Sequence, residues 1–271
     1  MQLIEVPAKA GYVWFRQGIW LFRRNPLAFL TLFFAYLLAM TLISAIPVIG
    51  GVLPLLFVPG VAVGFMAACR DTIAGKPVFP TILIDGFRSY GSGVAKHLLT
   101  LGAIYVVAML LVLAASAFVD GGALLRLMTL GGTLDTDSLE NTNVPLAVLA
   151  SLLCYVPVSM LFWFAPVLTA WHDVPPVKAM FFSVVSCWRN KGAFVVYGAL
   201  WFAVSTVVSI GFTTLLHALG AGDYTVAILM PALIIVTTML YCSFYATYRG
   251  CYGVQEKQAA EMPGSGSGSG R

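Results

Sequence analysis

Residues 27–69 read LAFLTLFFAYLLAMTLISAIPVIGGVLPLLFVPGVAVGFMAAC, and the stretch contains no charged side chain. A transmembrane helix needs about 20 apolar residues, so this stretch is long enough to cross a bilayer twice. Pro47, Gly50, Gly51 and Pro54 lie near its middle and predict a turn between the two crossings. The stretch therefore predicts a hairpin of two membrane-spanning helices.

The rest of the chain has the same apolar character. Four further uncharged runs are each long enough to span a bilayer once: 98–119, 144–171, 192–216 and 224–248. Of the 271 residues, 60% are hydrophobic and 10% charged, whereas a soluble domain has about 25% charged residues. The composition excludes a water-soluble fold.

Backbone polar groups find no water inside a bilayer, so the runs are predicted to be helices. They also lack the alternating polar pattern of a membrane barrel. The predicted fold class is an all-α polytopic membrane protein with about six transmembrane helices. Proline kinks are expected at Pro157, Pro166 and Pro231.

One transmembrane domain is predicted over residues 1–255, followed by a disordered C-terminal tail over residues 256–271. Residues 264–271 read GSGSGSGR, which is typical of a flexible linker. The five cysteines form no CxxC pair, and no HExxH motif, GxSxG motif or glycine-rich phosphate loop occurs. The sequence therefore predicts no metal and no other cofactor, and it gives no support for an enzymatic activity.

Lysine and arginine are distributed asymmetrically between the loops. All 15 except Arg126 lie before the first predicted helix, between the second and third, between the fourth and fifth, or after the sixth. The positive-inside rule places these segments in the cytoplasm, so both termini are predicted there and residues 120–143 outside. Because the cations are spread along one membrane face, the expected partners are anionic lipid headgroups and unidentified proteins, not nucleic acid.

Three of the cytoplasmic segments contain an aromatic residue followed by arginine, and two of them share the pattern Asn-x-x-Ala-Phe, at 25–29 and 190–194. We predict three short amphipathic helices on the cytoplasmic surface, each followed by a hairpin of spanning helices, as a threefold internal repeat. Alternatively, the matches arise by chance and the segments are ordinary loops. Rings and snorkelling cations both suit the lipid interface, and the residues predicted there are Arg23, Arg88, Arg189, Phe22, Phe87, Trp188, Trp14 and Trp20.

Two charged dipeptides, Arg70-Asp71 and His172-Asp173, occupy corresponding positions in successive cytoplasmic segments. Both are predicted to form structural ion pairs at the membrane surface. For these pairs a structural role is favoured over catalysis. The three histidines of the chain fall at different predicted helix ends and on both sides of the membrane, so they are not expected to form one metal site. The apolar runs contain no charged side chain, which disfavours a proton- or sodium-coupled transport pathway.

Short motifs in the chain resemble a family of uncharacterised bacterial inner-membrane proteins. They are WLFRRNP at 20–26, IPVIGG at 46–51, the segment from Arg70-Asp71 to Phe87-Arg88, and SCWRN at 186–190. The chain is also distantly similar to the membrane domain of some glycerophosphodiester phosphodiesterases. The resemblance extends over residues 1–255 and implies a bacterial plasma-membrane location without an established activity. The phosphodiesterase catalytic domain has no counterpart in the 271 residues, so that activity is not carried over.

These features favour a non-enzymatic integral membrane protein that acts as a scaffold for lipids or partner proteins. The alternative is a transporter or channel for a small or amphiphilic solute, with a path between kinked helices. An enzyme of lipid metabolism ranks third. A transporter needs a continuous polar cavity between its helices, whereas a scaffold needs lipid-facing grooves beside its surface helices.

Overall fold

The computed structural model describes residues 3–120 and 144–253, and within these ranges the chain is helical with no strand. Apart from Asp120, which ends a helix, the predicted external loop lies outside the described residues, as does the predicted tail. Short 3-10 helices occur at Pro80–Ile84 and Gly222–Tyr224. The α-helices are α1 (Ala10–Arg24), α2 (Pro26–Ser44), α3 (Leu53–Ile73), α4 (Asp85–Arg88), α5 (Ser92–Asp120), α6 (Val144–Phe162), α7 (Ala165–His172), α8 (Pro176–Arg189), α9 (Lys191–Ala218) and α10 (Thr225–Tyr252).

Six helical spans of the described residues are long and apolar enough to cross a membrane, which confirms the predicted number. Their outer faces are apolar as well; Leu38 and Leu42 of α2 and Leu111 of α5 are largely exposed. Such side chains suit contact with lipid tails rather than water. The spans are Pro26–Ser44, Leu53–Ile73, Ser92–Ala115, Leu149–His172, Lys191–Ala218 and Gly222–Tyr252.

The chain divides into two compact units. Unit 1 comprises residues 1–20 and 190–271, with α9, α10 and the first part of α1; unit 2 comprises residues 21–189, with α2 to α8. Two compact units can belong to one folding domain, so the single transmembrane domain stays a prediction. Each unit is described by itself below.

The core of unit 1 is built around Trp14 of α1, which is only 2% exposed. Its ring lies 5.3 Å from that of Phe194 and 6.3 Å from that of Tyr197, both on α9. The Tyr197 hydroxyl forms a 2.5 Å hydrogen bond with the Ser243 hydroxyl of α10. Gly18 of α1 lies so close to Ser243 that an added Cβ would collide with it. A small residue is therefore needed for α1 to pack against α10.

The segment that precedes α1 is fixed by hydrogen bonds to both long helices of unit 1. The Ile4 amide donates to the Cys251 carbonyl at the end of α10 (2.8 Å). The buried side chain of Asn190 accepts from the Val6 amide (2.8 Å) and donates to the Ile4 carbonyl (3.1 Å). The N-terminal segment, the start of α9 and the end of α10 consequently lie at one end of unit 1.

In unit 2, α3 is the most buried span, and half of its apolar segment lies inside the protein. Gly60 and Gly64 lie one turn apart on its packed face. A Cβ at Gly64 would meet the backbone of Leu83, and one at Gly60 would meet the ring of Phe87. The two glycines therefore seat the 3-10 helix and α4 against α3, within the same chain.

The fourth span is interrupted between α6 and α7. In a continuous helix the Phe164 amide would donate to the Met160 carbonyl, but the Ser183 hydroxyl of α8 lies between them. It accepts from the Phe164 amide (2.9 Å) and donates to the Met160 carbonyl (2.6 Å). Phe164 and Ser183 are fully buried, so both backbone groups are satisfied by protein.

The kink expected at Pro166 is not observed, because the helix ends before this residue and a new helix begins. Pro157 and Pro231 lie inside α6 and α10, whereas Pro166 lies in the first turn of α7, after α6 has ended. Backbone amides in the first turn of a helix have no intrahelical acceptor, so proline, which lacks the amide proton, is tolerated there.

Ser183→Ala should lower the free energy of unfolding by about 1–3 kcal/mol, because it leaves the buried Phe164 amide without its acceptor and removes the hydroxyl that donates to the Met160 carbonyl. Unfolding by sodium dodecyl sulfate, followed by circular dichroism in mixed micelles, measures the change. Ser159→Ala is the matched control, since that hydroxyl only donates to the Val156 carbonyl of its own helix. Equal stability of the two variants would contradict the bridging role of Ser183.

Candidate functional site

A charged cluster in unit 2 begins at the end of α3. The Arg70 guanidinium donates from Nε to Oδ1 of Asp71 at 3.0 Å. It also lies over the indole of Trp171, with 5.3 Å between the guanidinium carbon and the ring centroid. A cation above an aromatic face is attracted to the electron density of that ring. The cluster therefore joins the end of α3 to the end of α7.

The third helix end in this cluster is that of α5. The Trp171 indole nitrogen donates to the Tyr90 hydroxyl at 2.9 Å, and Tyr90 lies two residues before α5 begins. The ends of α3 and α7 and the start of α5 thus meet on one face of unit 2. This arrangement brings the Arg70-Asp71 dipeptide beside the end of α7, where the second predicted dipeptide lies.

His172 and Asp173 line a cavity of about 530 Å³ together with Tyr90 and Trp171. Asp173 adopts a left-handed conformation (φ 51°), and its amide donates to the Leu168 carbonyl, which ends α7. A phenol, an imidazole and a carboxylate can exchange hydrogen bonds with a small polar molecule. Among the described residues, no three histidine, cysteine, aspartate or glutamate side chains are grouped so that they could hold a metal ion.

Helix α1 is amphipathic, and its two faces contain different chemistry. The face turned into the protein carries Gly11, Trp14, Gly18, Leu21 and Phe22. The exposed face combines rings and aliphatic side chains with cations, and its members are Tyr12, Val13, Arg16, Trp20, Arg23 and Arg24. Since Trp14 and Phe22 lie inside the protein, the exposed part of the predicted interface on α1 is Arg23 and Trp20.

Helix α8 shows the same division. Its buried face consists of small residues such as Ala179, Ser183 and Ser186. Its exposed face carries Val177, Lys178, Phe181, Phe182, Trp188 and Arg189, and Trp188 is 62% exposed. Large apolar side chains beside cations on a surface helix are typical of helices that lie in a membrane interface.

The middle of the three predicted surface helices is much shorter. It consists of the 3-10 helix and α4, which has four residues. Phe87 is half-buried, with its ring 6.0 Å from that of Phe57 of α3, whereas Arg88 is exposed. The two Asn-x-x-Ala-Phe motifs also differ, because Asn25 caps α2 through the Ala28 amide and Asn190 binds the N-terminal segment. The threefold repeat stays a prediction.

The sequence did not indicate Tyr90 or the indole of Trp171 as members of the charged cluster. Tyr90 lies 81 positions from Trp171, and neither belongs to a motif that predicts the hydrogen bond between them. An available signal was that each is an aromatic residue next to a predicted membrane boundary, where amphipathic rings are common.

The six apolar spans and the amphipathic surface helices define the class of protein: a polytopic integral membrane protein. Over 265 residues the chain is 68% identical to a "Probable inner membrane protein" of Burkholderia thailandensis, and the match covers 97% of this chain and 98% of that protein. The chain belongs to the same family as this inner membrane protein. No family model and no solved structure matches the chain. The comparisons show no relation to glycerophosphodiester phosphodiesterases.

Arg70→Lys should lower the free energy of unfolding by about 1 kcal/mol, because an ammonium keeps the charge but loses the planar contact with Trp171 and the fixed hydrogen bond to Asp71. The same unfolding assay in mixed micelles measures the change. Arg88→Lys is the control, since Arg88 is exposed on α4, and a change within about 0.5 kcal/mol is expected there. If both variants were as stable as the parent, the cluster would contribute nothing to the fold.

Proposed function

We propose that this inner membrane protein is a non-enzymatic scaffold that binds anionic lipid through its basic aromatic surface helices. Both termini and the basic segments lie in the cytoplasm, where the leaflet carries negative charge. The arginines that contact phosphate headgroups are Arg23, Arg88 and Arg189, all three of which are exposed.

The exposed face of α8 carries this proposal. A helix on the surface of a soluble protein turns polar side chains to solvent, but α8 exposes Phe181 and Trp188 between Lys178 and Arg189. Burial of these rings at the headgroup boundary removes apolar area from water while the cations reach the phosphates. Lipid binding therefore explains both components of the face.

A transporter has less support from the described cavities and from the interrupted span. Broken helices in transporters expose backbone groups that bind the substrate or ion. Here the break between α6 and α7 is filled by the Ser183 hydroxyl and is buried. The polar cavity lined by Tyr90 and Asp173 lies at helix ends, where a headgroup could reach it.

Replacing Arg23, Arg88 and Arg189 together by glutamate should weaken the stabilisation that anionic lipid provides, since each cation contributes on the order of 1 kcal/mol near an anionic surface. Thermal unfolding in nanodiscs of phosphatidylglycerol and of phosphatidylcholine measures the effect. We expect the glutamate variant to lose more thermal stability, relative to the parent, in phosphatidylglycerol than in phosphatidylcholine. The matched control replaces the same arginines by lysine, which preserves the charge. If the unfolding temperatures of the glutamate variant in the two lipids differed by as much as those of the parent, the proposed contact would be refuted.

The orientation is tested by placing single cysteines at Ser138 and at Ser89. A membrane-impermeant maleimide added from the periplasm should label Ser138→Cys and not Ser89→Cys, because Arg126 is the one cation in the segment that includes Ser138. The parent chain, with its five cysteines, gives the background labelling. The opposite pattern would place the termini in the periplasm.

A further inference from the structure

A second polar cavity, of about 500 Å³, lies in unit 1 between the start of α1 and the end of α10. Its polar lining consists of Lys9, Tyr12, Gln17 and Arg249, and none of the described residues that line it is a carboxylate. Arg16 adds a further positive charge at the edge, with its guanidinium carbon 5.8 Å from the centroid of the Tyr12 ring. Within the described part of the chain, the lining of this cavity therefore contains cations and no carboxylate.

Apolar side chains complete the lining of this cavity. They include Ile4, Val6, Val13 and Ala246, which lie on the N-terminal segment, α1 and α10. A cavity that combines cations with aliphatic side chains matches an amphiphile with an anionic head. A free inorganic anion would leave these aliphatic side chains exposed to water.

The walls are held in place by contacts within unit 1. Asn190 and the Cys251 carbonyl fix the segment that contains Ile4 and Val6. The indole of Trp14 lies against Gly250, where an added Cβ would collide with it. The shape is thus set by the protein before any ligand arrives, which reduces the entropic cost of binding.

The cavity also lies at the end of an apolar span. Arg249 belongs to the last turn of α10, the end of the sixth apolar span, and Lys9 immediately precedes α1. Cations at the end of a spanning helix reach the phosphate level of a bilayer. Arginine offers several donors in a plane that matches phosphate oxygens.

We propose that this cavity binds a single anionic phospholipid, with its phosphate between Lys9 and Arg249 and part of an acyl chain along Val13 and Ala246. The inference rests on the proposed function, since it requires that this end of unit 1 face the lipid headgroups. It goes beyond that function by assigning one defined site, built from residues other than the three arginines of the surface helices. The cations recognise the phosphate group, and the aliphatic side chains of the lining favour a phospholipid over free inorganic phosphate as its source.

Native mass spectrometry of the detergent-solubilised full chain tests the site with three separate probes: phosphatidylglycerol, phosphatidylcholine and inorganic phosphate. We expect one tightly held phosphatidylglycerol per chain. The double variant Lys9→Gln, Arg249→Gln should bind it about tenfold more weakly or worse, because two cations near the phosphate are removed. The charge-preserving variant Lys9→Arg, Arg249→Lys should retain binding. Lys76→Gln with Lys96→Gln is the control for net charge, since both lysines are exposed and neither lines the cavity.

A steric variant provides a test that does not depend on charge. Val13→Trp adds a large ring to the cavity lining, so it should exclude the lipid. Because Val13 is exposed, the circular dichroism spectrum should stay that of the parent. Retention of the tightly held lipid by both this variant and the glutamine pair would overturn the proposal. Competition by millimolar inorganic phosphate, or equal binding of phosphatidylcholine, would also overturn it.

The outcome is separable from that of the surface-helix proposal. The variant with glutamate at Arg23, Arg88 and Arg189 should keep the single tightly held lipid while it loses stabilisation by bulk anionic lipid. If that variant lost the single lipid and the glutamine pair kept it, the site in unit 1 would be wrong and the surface-helix proposal would stand. If neither variant changed the binding of the single lipid or the stabilisation by bulk anionic lipid, both proposals would fail.

Discussion

The pairing of backbone hydrogen-bonding groups in a solvent without water constrains the whole structure. Each unpaired amide or carbonyl in hydrocarbon costs several kcal/mol by the usual estimates, so the apolar runs form helices, which satisfy their own backbones. Where the fourth span departs from a helix, Ser183 of α8 inserts between the Phe164 amide and the Met160 carbonyl and bonds to both. The interruption is tolerated because a side chain from another helix replaces the hydrogen bond that was lost.

The surface helices satisfy a different requirement, since each packs against protein on one face and is exposed on the other. Small residues on the inner face permit close packing, as Gly18 does in α1 and Ala179 in α8. The outer faces combine rings with cations, of which Trp188 and Arg189 are an example. The same helices therefore help to build the units and expose the rings and cations on which the proposed lipid binding depends.

The two polar cavities differ in how their charges are balanced. In unit 2 a carboxylate, Asp173, lines the cavity itself, and Arg70, which lies over the lining residue Trp171, already has Asp71 as its partner. In unit 1, Lys9 and Arg249 face a lining without a carboxylate among the described residues. A charge that the protein neutralises internally mainly contributes to structure, whereas cations left without an anion favour a ligand that supplies one. The unit 1 cavity is therefore better suited than the unit 2 cavity to bind an anionic ligand.

The sequence by itself determined the fold class and the six spans, because hydropathy is a local property and a bilayer requires a minimum apolar length. It also indicated which segments carry rings and cations. Only the tertiary structure decided that Trp14 lies in the core of unit 1 while Trp188 is exposed, although both occur in similar basic aromatic segments. It likewise decided that Asn190 holds the N-terminal segment and that Arg70 lies over Trp171, 101 positions further along the chain. These outcomes depend on which helix packs beside each side chain, and the local pattern of residues carries no information about a neighbour so distant in sequence.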